Sequence, residues 1–84
     1  MTAGTRDEDT AIAAKHARQR LGSQGAERLL ILLERPEAER PRALVAERNR
    51  EPHGRVIAEI ASRLFRDEPM RREFARALRR GLGS

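Results

Sequence analysis

The chain has no cysteine, tryptophan or tyrosine, and only two phenylalanines, Phe65 and Phe74. Each absence closes off a class of explanation. Without cysteine there is no disulfide framework and no thiolate metal site. Stability therefore has to come from helix packing, with a second chain as one further source. Both phenylalanines are needed in the core, which leaves no aromatic platform for stacking the bases of a single strand. Lysine is almost missing as well: Lys15 stands against seventeen arginines. That skew points to a GC-rich bacterial genome, although arginine also serves bidentate phosphate contacts better than lysine. The longest apolar run, "LLILL" at 29–33, is too short to span a membrane, and the opening "MTAGTRDEDT" is acidic where a signal peptide is basic. The expectation is a cytoplasmic protein with no membrane partner.

What remains is alanine, leucine and charge. Leu, Ile, Val and Phe supply 17 of 84 residues, close to the level at which highly charged chains stay disordered. Thirteen alanines shift the balance toward helix, because alanine has the highest helix propensity. A chain of this length forms one domain and buries only about 60 to 65% of its unfolded surface.

Residues 1 to about 9 read as a flexible tail, 10–80 as a single helical domain, and 81–84 as a flexible end. A first helix is expected from about Asp9 to Leu21, with a thin face of Ile12, Ala13, Ala14, Ala17 and Leu21 that docks weakly. "GSQG" (22–25) breaks it, and Ser23 is placed to cap a second helix over Ala26 to Arg35. Pro36 ends that helix. A third is expected from Pro41 to Arg50, turning Leu44, Val45 and the stem of Arg48 inward. After the turn "EPHG" (51–54), the clearest amphipathic pattern runs from Arg55 to Arg66. There Val56, Ile57, Ile60, Ala61 and Leu64 recur at three- and four-residue steps and Phe65 widens the stripe. "RDEP" (66–69) stops it, with Asp67 or Glu68 capping a last helix that carries Met70, Phe74, Ala77 and Leu78 on one face to about Arg80. No alternating stretch suits a strand. The expected fold is all-α, a small bundle of four or five short helices without a sheet.

Catalytic chemistry is thin. His16 and His53 lie in polar stretches, and His53 beside Glu51 reads as a solvated turn residue rather than a general base. Carboxylate pairs such as Glu34 with Glu37 or Glu47 with Glu51 lack the Glu-x-x-His partner of a di-metal site and read as charges on wet helix faces. "LGSQGAE" lacks the strand and the lysine of a phosphate loop. No catalytic, cofactor or metal residue is assigned, and the chain is expected not to be an enzyme.

Charge is uneven. Residues 1–54 carry ten basic and nine acidic side chains, whereas 55–84 carry eight and four. Arg72, Arg76, Arg79 and Arg80 form one stripe on the last helix, flanked by Arg71. With Arg55 they are the candidate nucleic-acid contacts. The macrodipole alone also favours Arg79 and Arg80 where they stand. A helix-turn-helix over 44–64 finds Ala46 and Val56 in suitable places, but Arg50 where a glycine belongs and Glu51 where an aliphatic residue is buried.

Five large aliphatic residues in succession cannot all face one side of a helix. Either the other helices wrap Leu29 to Leu33 completely, or part of the run meets another chain, with Leu29, Leu30 and Leu33 as the candidate protein interface. Residues 26–78, with leucine pairs, short helices broken by proline and a final P-x-x-x-x-F-x-x-x-L helix (Pro69, Phe74, Leu78), resemble the death-like or effector-associated adaptor domains of bacterial conflict and signalling proteins. The resemblance implies a non-catalytic module that recruits partners through like-with-like helical contacts. The two expectations are thus an adaptor or self-associating module and, as the alternative, a small basic DNA- or RNA-binding protein.

Overall fold

The computed structural model describes the backbone of residues 3–83 and the side chains of 8–83. Its order is α1 (Ala3–Leu33), a 3₁₀ turn (Glu37–Glu39), α2 (Arg40–Arg48), α3 (Gly54–Leu64) and α4 (Glu68–Gly83), with no strand among the described residues. The fold is all-α, as the residue pattern predicts.

The expected break at "GSQG" is a reversal at one residue. Gly22 has φ 79° and ψ 174° inside an otherwise helical run, a combination open almost only to glycine. It divides α1 into two arms, 3–21 and 23–33. Thr10 Oγ1 donates to Met70 Sδ at 3.6 Å, and Arg71 Nη1 donates to the Leu33 carbonyl at 2.8 Å. Thr10 in the first half of α1 and Leu33 at its end therefore both lie beside the first turn of α4, while the Arg18 guanidinium lies against Gly81 near its end. A straight helix would hold residues 10 and 33 about 35 Å apart. The arms instead run antiparallel, and α4 packs along both.

The core sits where the arms, α3 and α4 meet. Its members are Ala14, Ala17 and Leu21 from the first arm, Ala26, Leu29, Leu32 and Leu33 from the second, Ile57 and Ala61 from α3, and Phe74, Ala75 and Leu78 from α4. Leu29, Leu33, Ile57 and Leu78 are the largest fully buried side chains, each worth about 1.5 to 3 kcal/mol of transfer free energy. The first arm docks fully despite its thin face, because alanines let the helices approach closely. That face is turned from the expected one: Thr10, Ala14, Ala17 and Leu21 are buried, whereas Ile12 is 52% exposed and Ala13 open.

Other boundaries move by a few residues. Helix already begins at Ala3, within the segment expected to be a tail, and α4 continues through Gly81 to Gly83. Residues 1, 2 and 84 lie outside the described residues. The second arm resumes at Ser23 rather than Ala26. Asp67 does cap α4, its Oδ1 accepting the Met70 N–H at 3.2 Å.

α2 is rotated from its expected orientation. Ala43, Leu44 and the carboxylate of Glu47 turn inward, while Val45 is 60% exposed and Arg48 points to solvent. Glu47 tolerates burial because Arg28 of the second arm answers it. The α2–α3 turn passes through a cis Glu51–Pro52 bond and a left-handed His53 (φ 68°) into Gly54. A Cβ on Gly54 would overlap the Glu47 carbonyl oxygen, so glycine is what lets α3 start against the end of α2.

Replacing Gly22 by alanine forces a Cβ into backbone strain of about 1 to 3 kcal/mol, and chemical denaturation should show a loss of that size. Gly83→Ala, helical and with open space around its Cβ, should cause no loss. Equal midpoints for Gly22→Ala and the parent would show that the reversal is not strained.

Candidate functional site

The apolar run divides on folding. Leu29 and Leu33 are fully buried and Leu32 nearly so, Leu30 is half-buried, and Ile31 is 54% exposed. The assignment of Leu29 and Leu33 to a protein interface is therefore corrected: both are core. The cause is the Gly22 reversal, which lays the second arm between the first arm, α3 and α4 and covers most of its circumference. Ile31 points in the one direction left open, over a cleft between the second arm and α2. Leu32, Ala43 and Ala46 line this cleft beside it, and Arg28, Arg35, Arg50 and Glu47 form its rim.

The rim is structured. Arg28 donates from Nε to Glu47 Oε2 at 2.6 Å and from Nη1 to the Pro52 carbonyl at 2.8 Å, so one guanidinium ties α1 to α2 and to the following turn. Both side chains of this pair are at most 15% exposed. Arg50 reaches the other Glu47 oxygen at 3.6 Å.

A second charge cluster gathers around Glu68. Arg71 grips Glu68 with two hydrogen bonds of 3.0 and 2.8 Å while its third nitrogen holds the Leu33 carbonyl. Arg40 donates to the same carboxylate at 2.9 Å, to the Arg35 carbonyl at 3.2 Å, and lies 4.8 Å from the centre of the Phe65 ring. The end of α1, the start of α2, the end of α3 and the start of α4 thus meet at one carboxylate. The hydrogen bond from Arg71, opposed by desolvation and assisted by Arg40, holds Glu68 down from the usual 4.5 to about 2.

The arginines singled out in the sequence do not form one site. Arg72, Arg76, Arg79 and Arg80 are all exposed on α4, and Arg79 pairs with Glu34 in the turn that follows α1. Arg72, Arg76 and Arg79 border one groove, with Glu34, while Arg76 and Arg80 border another, with Thr10 and Glu73. Arg55 stands apart from them at the start of α3. It lines a groove of about 370 Å³ with Arg48, Glu59, Ser62, Arg63 and Arg66. No role is assigned to Arg63 or Arg66 from the sequence, and the stem of Arg48 is expected to face inward, whereas all three are exposed on this groove; Arg55, Arg63 and Arg66 fall on one helix face by their spacing.

The α2–turn–α3 unit has the element order of a helix-turn-helix, but not its packing. Ala46 is exposed and faces the α1–α2 cleft, and the close approach between the helices is made by Gly54 rather than at position 50. His16 and His53 are exposed. Among the described residues no group of three or more His, Cys, Asp or Glu is placed to hold a metal ion. No helix of these residues is long and apolar enough to cross a membrane.

Comparison with protein-family models, curated proteins and solved structures returns no match to this chain. The surfaces themselves therefore carry the functional argument.

Two outcomes are expected from these clusters. A carboxylate with a depressed folded-state pKa stabilises the fold above its unfolded pKa and loses that contribution as pH falls through the folded one. Glu68 should thus contribute an acid-sensitive limb between about pH 4.5 and pH 2. Thermal unfolding of Glu68→Gln across that range should show a shallower decline than the parent. Separately, Arg28→Ala should cost about 3 kcal/mol in urea unfolding, because it strands a buried carboxylate. A loss below 1 kcal/mol would mean that Arg50 or water replaces Arg28.

Proposed function

We propose that the chain is a non-catalytic helical interaction module that docks a helix of another protein, in the simplest case a second copy of itself, into the cleft between α1 and α2. One observation carries the reading: Ile31 is more than half exposed over a cleft that Leu32, Ala43 and Ala46 also line. Covering Ile31 and its neighbours would recover a few kcal/mol of apolar transfer free energy, and the paired charges on the rim supply both signs for orienting a partner. The resemblance of residues 26–78 to death-like or effector-associated adaptor domains points the same way, since such modules associate through helical faces of mixed charge. The cytoplasm of a bacterium is the setting this reading assumes.

A second reading, a basic nucleic-acid-binding surface, is favoured by a separate observation. Arg72, Arg76 and Arg80 on α4 are exposed and make no ion pair with a carboxylate among the described residues.

Sedimentation velocity over a hundredfold range of concentration tests the first reading. Association is expected for the parent and its loss for Ile31→Asp, which should stay folded because the side chain is already open. Val45→Asp, exposed but outside the cleft, should associate as the parent does. Association undiminished in Ile31→Asp would remove the cleft from the interface, and a parent that stays monomeric throughout would leave only a different protein as its occupant.

A further inference from the structure

We propose that the groove on the outer face of α3, lined by Arg48, Arg55, Arg63 and Arg66 with Ser62 and Glu59 between them, binds the sugar-phosphate backbone of a nucleic-acid duplex without reading its sequence. The inference rests on the second of the readings above and gives it a different site from the α4 stripe.

This fold pairs arginines with carboxylates where it uses them structurally: Arg28 with Glu47, Arg40 and Arg71 with Glu68, Arg79 with Glu34. In the α3 groove the pattern stops. Arg48, Arg55 and Arg66 have no carboxylate within ion-pair distance among the described residues. Arg63 meets only Glu59, at 3.4 Å, through a side-chain contact open to water on both sides. Four guanidinium groups and one carboxylate share the groove, so its charge is strongly positive. Like charges gathered this way repel one another, and the fold gains nothing visible from it. An anionic ligand would relieve that repulsion.

The shape selects the kind of anion. Arg55 and Arg63 lie two turns and more apart on one helix face, about 12 Å along its axis, and Arg66 follows just beyond its end. A row of that length suits successive phosphates of a polymer rather than one small phosphate group. Guanidinium groups grip phosphate oxygens in pairs, and the half-buried Ser62 hydroxyl is a further donor of the type that contacts such backbones. No aromatic side chain borders the groove. Bases of a single strand would find nothing to stack on there, which favours the outside of a duplex.

Glu59 supplies a lever in the opposite direction. It is the one carboxylate of the groove, so its removal should strengthen binding rather than weaken it.

Fluorescence anisotropy of a labelled, mixed-sequence duplex DNA titrated with the full chain at several salt concentrations provides the test. If all four arginines engage phosphates, the slope of log affinity against log salt is about −3.6. The triple variant Arg48→Gln, Arg55→Gln, Arg66→Gln touches only exposed, unpaired side chains; with helicity unchanged by circular dichroism, its slope should fall to about −1. Glu59→Gln should tighten binding several-fold at low salt. The α4 variant Arg72→Gln, Arg76→Gln, Arg80→Gln should leave most of the slope in place. The opposite pattern, with the α4 variant losing the slope and the α3 variant keeping it, overturns this site while nucleic-acid binding itself stands. No binding of duplex by the parent at low salt overturns both. Equal or tighter binding of poly-glutamate in competition would overturn the duplex and assign the groove to an acidic polypeptide.

Discussion

The reversal at Gly22 is the constraint on which the rest of the architecture depends. One residue in a backbone region that side chains exclude turns a 31-residue helical run into two antiparallel arms. Only then can both arms share α4, and only then is the second arm wrapped closely enough for Leu29 and Leu33 to disappear from the surface. The alanines of the first arm complete the effect. A bulky face could not have come so near, and a chain with so few large apolar residues cannot afford to leave them half covered.

Arginine does two distinct jobs in this molecule. At the helix ends it is a fastener: the Arg40–Glu68–Arg71 cluster joins parts of all four helices, and Arg28 clasps α2 and its turn to α1. These guanidinium groups are largely covered, and they take up main-chain carbonyls as well as carboxylates, so each fulfils several hydrogen bonds that would otherwise go to water. On the outer faces of α3 and α4, Arg55, Arg66, Arg72, Arg76 and Arg80 stand in solvent with no carboxylate within ion-pair distance among the described residues. The contrast separates structural charge from charge available to a ligand, a distinction that composition alone hides.

Much of the fold was legible because it rests on local rules. The helical class, the breaks at Gly22, Pro36 and Pro52, the Asp67 cap and the Ile57–Ala61 stripe all follow from propensity, punctuation and spacing. What escaped depended on which helix lies opposite. On apolarity alone Val45 should be buried and Glu47 exposed, and only the presence of Arg28 across the interface reverses their places. Nothing local reveals that an upstream segment folds back over Leu29 and Leu33, so the sequence leaves them open to an interface, while Ile31 in the same run carries no separate signal. The α4 arginines were found as a stripe, yet the groove that gathers Arg55 with Arg48 needs the α2–α3 turn, whose closeness depends on Gly54. Local pattern located the elements, and long-range packing decided which of their residues face outward.

The pairing of α1 with α4 also orders events in time. These are the first and last helices of the described chain, and they share the most extensive contact in the fold, so the loop that must close between them is nearly the whole domain. α2 and α3, joined by a short turn, can meet early. During synthesis, by contrast, the Leu29–Leu33 segment leaves the ribosome while Phe74 and Leu78, which seal it, have yet to be translated. For that interval the most apolar stretch of the protein is uncovered, and the nascent chain is most open to capture by a chaperone or by another unfinished copy.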